Sequence, residues 1–405
     1  MVAIALTAVG SGLASAIFLR SLNFVSAWRD AHPWVLWTLP LGGAILATLI
    51  SGPLQHAQGG MRKILLDLQH PTARSLHWTM APAVLLGTLL SHLVGASAGR
   101  EGTAVQMGSS IAAGLSDRLL PSQIGRRSLV IAGIAAGFAS VFGTPLAGAV
   151  FSLELTQTTA HRALSRWHVP VALAAAFAAD FIARSAGATH SRFARPLATH
   201  ISPDIWPRLA LLALAVATTV RVYVALAHGV KRAVSTLSTR LWLQLAAGAG
   251  ALLVGWQLCG VRFMGLGVAT IEQSFVYHSQ VVWWWPIAKL VLTAITIGAG
   301  FIGGEVTPLF FVGATLGATL GPRLGIDGPL SAGVCMVATF GAAANTPVAM
   351  AVMCGELLGW TVFLQALCVC VLAFMLAPEE AIYTPQRPTR LKLSYWLARA
   401  WAARQ

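Results

Sequence analysis

Ala136 to Leu155 and Ala338 to Leu357 are one block written twice. The first reads AGFASVFGTPLAGAVFSLEL and the second ATFGAAANTPVAMAVMCGEL, with nine of twenty positions identical and no gap. Thr144-Pro145 matches Thr346-Pro347, and Glu154 matches Glu356. A second match lies upstream of each block: Gly99-Arg100-Glu101-Gly102-Thr103 parallels Gly303-Gly304-Glu305-Val306-Thr307. Apolar sequence matches apolar sequence by chance. Glu, Pro and Thr at matching offsets do not follow from composition, so the chain is read as two halves of one plan. Internal repeats with interrupted helices place a substrate site near the membrane midplane, where the halves meet.

The apolar runs supply the membrane. The chain of 405 residues is 56% hydrophobic and 10% charged, with a mean hydropathy of +0.72. A soluble domain carries about 25% charged residues, so the fold class is all-α and polytopic. Spans are expected at about 2–19, 34–52, 78–98, 103–115, 128–142, 145–156, 169–184, 208–228, 241–258, 284–300, 308–321, 330–343, 347–358 and 361–377. The first has no basic stretch before it and reads as a span rather than a cleaved signal. Several are shorter than the roughly 20 residues a crossing needs. Short, Gly/Pro-interrupted pairs are the pattern of broken transporter helices. The chain reads as a single transmembrane domain. Its first half covers about 1–190 and its second about 204–377, separated by a polar stretch with His190, Arg192, Arg195 and His200. Residues 378–405 form a basic tail, with Arg387, Arg390, Lys392, Arg399 and Arg404, whose charge favours the cytoplasmic side.

The formal net charge of +14 raises nucleic acid as a partner. The cations are scattered through loops without interleaved aromatics, so they orient spans instead. Cys259, Cys335, Cys354, Cys368 and Cys370 show no metal spacing and read as small packing residues. An intramembrane enzyme needs a nucleophile or metal constellation, and neither HExxH nor a clustered His/Cys/Asp set occurs. A cation pathway needs rings of acids, and only thirteen acids exist. A scaffold has no use for Glu101 and Glu305 at matched interior positions. Transport is the reading that remains.

Glu101 is the centre of it. An ionisable residue at membrane depth usually marks a substrate or proton path. Gly99 and Gly102 bracket it and let the backbone leave helical geometry. A helix starting here points orphan N–H groups at the site, which suits an anion. The Glu carboxylate can occupy that site or yield it.

GREGTAVQMG, FGTPLAGAVFSLE, GGEVTPLFFVGATLG and NTPVAMAVMCGEL resemble the CLC family of chloride channels and proton-coupled anion exchangers. The resemblance runs from roughly Leu13 to Tyr383. GGEVTPLFF leans towards the fluoride/proton antiporter branch, because chloride-type members usually have an apolar residue in place of Glu305. The resemblance implies an inverted repeat of tilted and broken helices, a homodimer in the bilayer with one pore per subunit, and no cofactor. Its substrates would be fluoride or chloride, together with protons, in the inner (plasma) membrane. A chloride/proton exchanger or chloride channel of the same fold is the alternative.

Carried over by residue, the resemblance makes Glu101 the gating glutamate. Gly102 and Thr103 would begin the helix whose N–H groups hold the anion, with Val306 and Thr307 as the matching donors. Tyr383 would be the central pore tyrosine. Chloride-type members lend a serine from a Gly-Ser-Gly-Ile-Pro loop; the corresponding stretch here is Gln58-Gly59-Gly60-Met61-Arg62, and Met61 stands where the serine would. Chloride/proton exchangers also carry an inner Glu directly after the one matching Glu154, where this chain has Leu155. Glu305 is then the candidate inner proton acceptor; the other reading is a carboxylate balancing its helix dipole. Glu154 and Glu356 are expected to cap or pair, Arg100 to stabilise its neighbour, and His92 to pack.

Overall fold

The computed structural model describes residues 1–120, 122–159, 164–191, 193–196, 203–383, 386 and 391–393. Arg192, His200, Arg387, Arg390, Arg399 and Arg404 therefore lie outside the described residues, with most of the basic tail. The described residues form sixteen α-helices and short 3-10 turns, without a β-strand. The longest helices are Val2–Ala31, of 30 residues, and Ile205–Leu237, of 33. Among the described residues five segments have the length and apolarity to cross a bilayer. Gly60–Gln69 and Val268–Val276 were not among the expected spans, because a ten-residue and a nine-residue helix carry too little apolar sequence to stand out.

The two halves repeat their helix order. Glu101–Leu119, Gln123–Phe142, Pro145–Thr159 and His168–Ser185 in the first are answered by Val306–Leu320, Gly328–Ala344, Pro347–Leu358 and Phe363–Leu376 in the second. The repeated block explains its own punctuation. Gly143 at φ 74° and Asn345 at φ 59° take the left-handed conformation that ends a helix. Pro145 and Pro347 then sit at the first helical position, where the missing N–H costs nothing.

The repeated glutamates lock the halves together. Glu154 accepts from the Val348 and Ala349 N–H groups at 3.1 and 2.9 Å. Glu356 accepts from Leu146 and Ala147 at 3.0 and 2.8 Å. Each carboxylate lies near the end of its own helix and satisfies orphan donors at the start of the other. Helices Pro145–Thr159 and Pro347–Leu358 must therefore run antiparallel, as equivalent elements of an inverted repeat do. The capping role expected of both residues is the observed one.

Aromatic rings continue the joint inward. Phe138 stacks on Phe151 at 4.5 Å between centroids, Phe151 on Phe340 at 6.2 Å, and Phe340 meets Tyr383 edge-on at 6.4 Å. Cys335, Cys354 and Cys370 are buried in this core as free thiols.

Candidate functional site

The two G-x-E-x-T motifs meet backbone to backbone. Gly99 N–H donates to Gly304 O at 2.6 Å, and Gly304 N–H returns to Gly99 O at 2.8 Å. Only glycine permits this approach: a Cβ on Gly304 would lie 2.8 Å from the Gly102 nitrogen, and one on Gly102 would lie 3.1 Å from the Gly304 Cα. The chain leaves this crossing as two helices, one from Glu101 and one from Val306. The first begins one residue before the expected Gly102.

Glu101 is 1% exposed. Its Oε2 accepts from the Thr307 N–H at 3.2 Å and from the Thr307 hydroxyl, and also from the Arg100 N–H at 3.2 Å. Its Oε1 receives the Arg100 Nε at 3.3 Å. The Glu101 carboxylate thus rests on the N-terminus of the helix of the other half, where backbone donors and dipole favour a negative charge. Arg100 is the neighbouring counter-charge it was expected to be.

Glu305 is held differently. Its Oε1 accepts from the Tyr223 hydroxyl at 2.7 Å. Tyr223 belongs to the long helix Ile205–Leu237 and is fully buried. Sequence reasoning missed it; its only signal was being one of four tyrosines in the chain, set in an apolar helix.

Two separate spaces flank the crossing. Glu101 and Thr307 line a cleft of about 20 Å³ with Arg100 and Phe310. It adjoins a vestibule of about 540 Å³ lined in part by Arg29, Arg100, Arg262 and His190. On the other side lies a cavity of about 600 Å³ lined in part by Met61, Gly102, Glu305 and Tyr383. It shares no lining residue with the cleft. Lys231 and Arg62 make its wall basic.

The expected site residues distribute accordingly. Met61, Gly102, Glu305 and Tyr383 come together around the large cavity. Ile382 N–H donates to Ala343 O at 3.0 Å and ties Tyr383 to the end of helix Gly328–Ala344. Thr307 binds Glu101, and Val306 is buried beside it. The Thr103 hydroxyl pairs with the Thr88 hydroxyl at 2.7 Å. His92 is buried, with its ring nitrogens against the carbonyls of Thr88 and Ala98 at 2.9 and 3.1 Å, a packing role as expected.

Known proteins resemble this chain in sequence and fold. The chain is 37% identical over 396 residues to a chloride/fluoride channel protein of Pseudomonas syringae pv. tomato, covering 94% of this chain and 85% of the relative. It is 27% identical over 363 residues to the H(+)/Cl(-) exchange transporter ClcA of Cronobacter sakazakii, covering 83% and 76%. Its fold superposes on the crystal structure of a CLC-type fluoride/proton antiporter with a TM-score of 0.90 and 30% identity, covering 96% and 97% of the two chains. A slow cyanobacterial Cl-/H+ antiporter, at 20% identity and a TM-score of 0.81, shares the fold. Residues 47–378 match the family described as voltage gated chloride channel, and the chain, with its antiparallel repeat and crossed glutamate motifs, belongs to that family, the CLC proteins.

Proposed function

We propose that this protein is a proton-coupled fluoride exporter, exchanging fluoride for protons across the membrane. The observation that carries the reading is the Glu101 carboxylate resting on Thr307, in the position a transported anion would take. Glu101 blocks the passage between vestibule and cavity while it holds that place. Protonation removes its charge and its claim on the helix N-terminus, and an anion takes the vacated donors. Anion and proton therefore move in alternation through one residue.

Glu305 serves as the inner proton acceptor. It faces the cavity, it is oriented by the Tyr223 hydroxyl, and no inner carboxylate follows Glu154, since Leu155 is buried there. The likeness to a fluoride/proton antiporter over nearly the whole chain supports fluoride as the anion. So does Met61 in the cavity wall, in place of the pore hydroxyl of chloride-type members. A small, strongly hydrated ion needs close N–H donors to replace its water. The protein acts by transport without enzymatic chemistry, as a homodimer with a pore in each subunit, in the inner (plasma) membrane.

The test is fluoride and chloride efflux from the same proteoliposomes, with proton movement followed in parallel. Fluoride flux well above chloride, with protons moving against it, is expected. Equal or faster chloride flux would assign a chloride exchanger of the same fold; anion flux without protons would assign a channel.

A further inference from the structure

Gln106 lies in the GREGTAVQMG motif, and nothing so far has given it a role. It sits on the helix that begins at Glu101, four residues after Gly102, and its side chain lines the 600 Å³ cavity. The residue is 6% exposed, and among the described residues no protein group hydrogen-bonds its amide. A helical side chain leans back over the residue four positions earlier. Here that residue is a glycine. A Cβ on Gly102 would lie 3.9 Å from the Gln106 Nε2, and one on Gly60 would lie 3.5 Å from it. Two glycines, one from each wall, thus leave open the space in front of the amide.

An amide that faces the cavity and has no protein partner takes its hydrogen bonds from the cavity's contents, water or an ion. Its NH₂ group carries two donors, and its carbonyl oxygen can turn away. Lys231 and Arg62 line the same cavity, which favours a negative ion as occupant. The loop that carries a serine in chloride-type members lines the cavity here with Gln58, Gly59, Gly60, Met61 and Arg62, so no hydroxyl from it reaches the ion.

We infer that the Gln106 amide is an anion ligand, donating a hydrogen bond to the ion in the cavity between Met61, Tyr383 and Glu305. The flexible amide supplies the donor that the loop lacks. It holds the ion before the ion reaches the Glu101 position. The inference rests on the transport reading above.

The experiment measures anion affinity twice in the full-length protein: as Kd by calorimetry in detergent, and as KM for efflux from proteoliposomes. Wild type is titrated with fluoride and with chloride first, and the preferred anion is used throughout. A preference for chloride overturns the fluoride assignment alone, and Gln106 is then judged with chloride. Gln106→Leu keeps the volume and removes both donors; Kd and KM are expected to rise together by about tenfold or more, as for a lost hydrogen bond to an ion. Gln106→Glu, which turns the donor into a charge repelling the anion, is expected to lose more. Unchanged Kd and KM in Gln106→Leu overturn the inference. So does a lower Tm and maximal rate with unchanged Kd, which is what a structural role would produce. If Gln106→Leu does not yield folded protein, Gln106→Met, unbranched and equally donor-free, is read by the same criteria.

Discussion

Glu101 and Glu305 hold equivalent places in the repeat but are bound by different partners. Glu101 takes the Thr307 N–H and hydroxyl of the opposite half, while Glu305 takes the Tyr223 hydroxyl and faces the cavity. The repeat is symmetric in its caps and asymmetric in its ionisable pair. In the function proposed above, that asymmetry gives the two carboxylates different tasks on one path.

Glu101→Gln is the neutral mimic of protonated Glu101. A proton gradient is expected to drive fluoride uphill in wild-type vesicles and to drive none in Glu101→Gln. Uphill transport in the variant would show that the coupling group is elsewhere.

Glu305→Gln is expected to slow proton and fluoride flux together, since coupled steps do not turn over separately. Tyr223→Phe removes the donor that orients Glu305. It should slow both fluxes in the same direction by roughly tenfold, the worth of one hydrogen bond to a charged group. Parallel proton and fluoride recordings check both; wild-type coupled rates in Glu305→Gln would return this residue to a helix-end role.

Thr307→Val removes the hydroxyl that meets Glu101 and keeps the backbone N–H. The fluoride KM is expected to rise by roughly tenfold, with Thr307→Ser close to wild type. A concentration series of efflux rates in the two variants decides it.

Glu154→Gln and Glu356→Gln each weaken a two-point cap on the opposite half. Losses of about 1 kcal/mol apiece are expected, of the size of a helix cap, with fluoride–proton coupling intact. Thermal unfolding of the purified variants measures the first and vesicle flux the second. Loss of coupling in Glu154→Gln alone would reverse the assignment of Glu154 and Glu305.

Much of this was legible from residue order. The repeated T-P block carried its own helix stops and starts, because Gly143, Pro145 and Pro347 act through local backbone geometry. The matched Glu residues marked interior positions because charge is costly at membrane depth. Apolar runs located most of the long helices. Helices Gly60–Gln69 and Val268–Val276 were not legible, since they are held by packing and not by an apolar run.

The sequence by itself determined the all-helical membrane class, the two-half plan and the motif residues, since hydrophobicity, glycine and proline act locally. Only the tertiary structure decided which donors each carboxylate receives. Tyr223 reaches Glu305 across 82 positions, and Thr307 reaches Glu101 across 206. Packing alone brings Gly60 beside the Gln106 amide, in the wall of one cavity with Gly102. A hydrogen bond depends on distance in space, and helix packing brings together residues whose separation along the chain carries no mark of it.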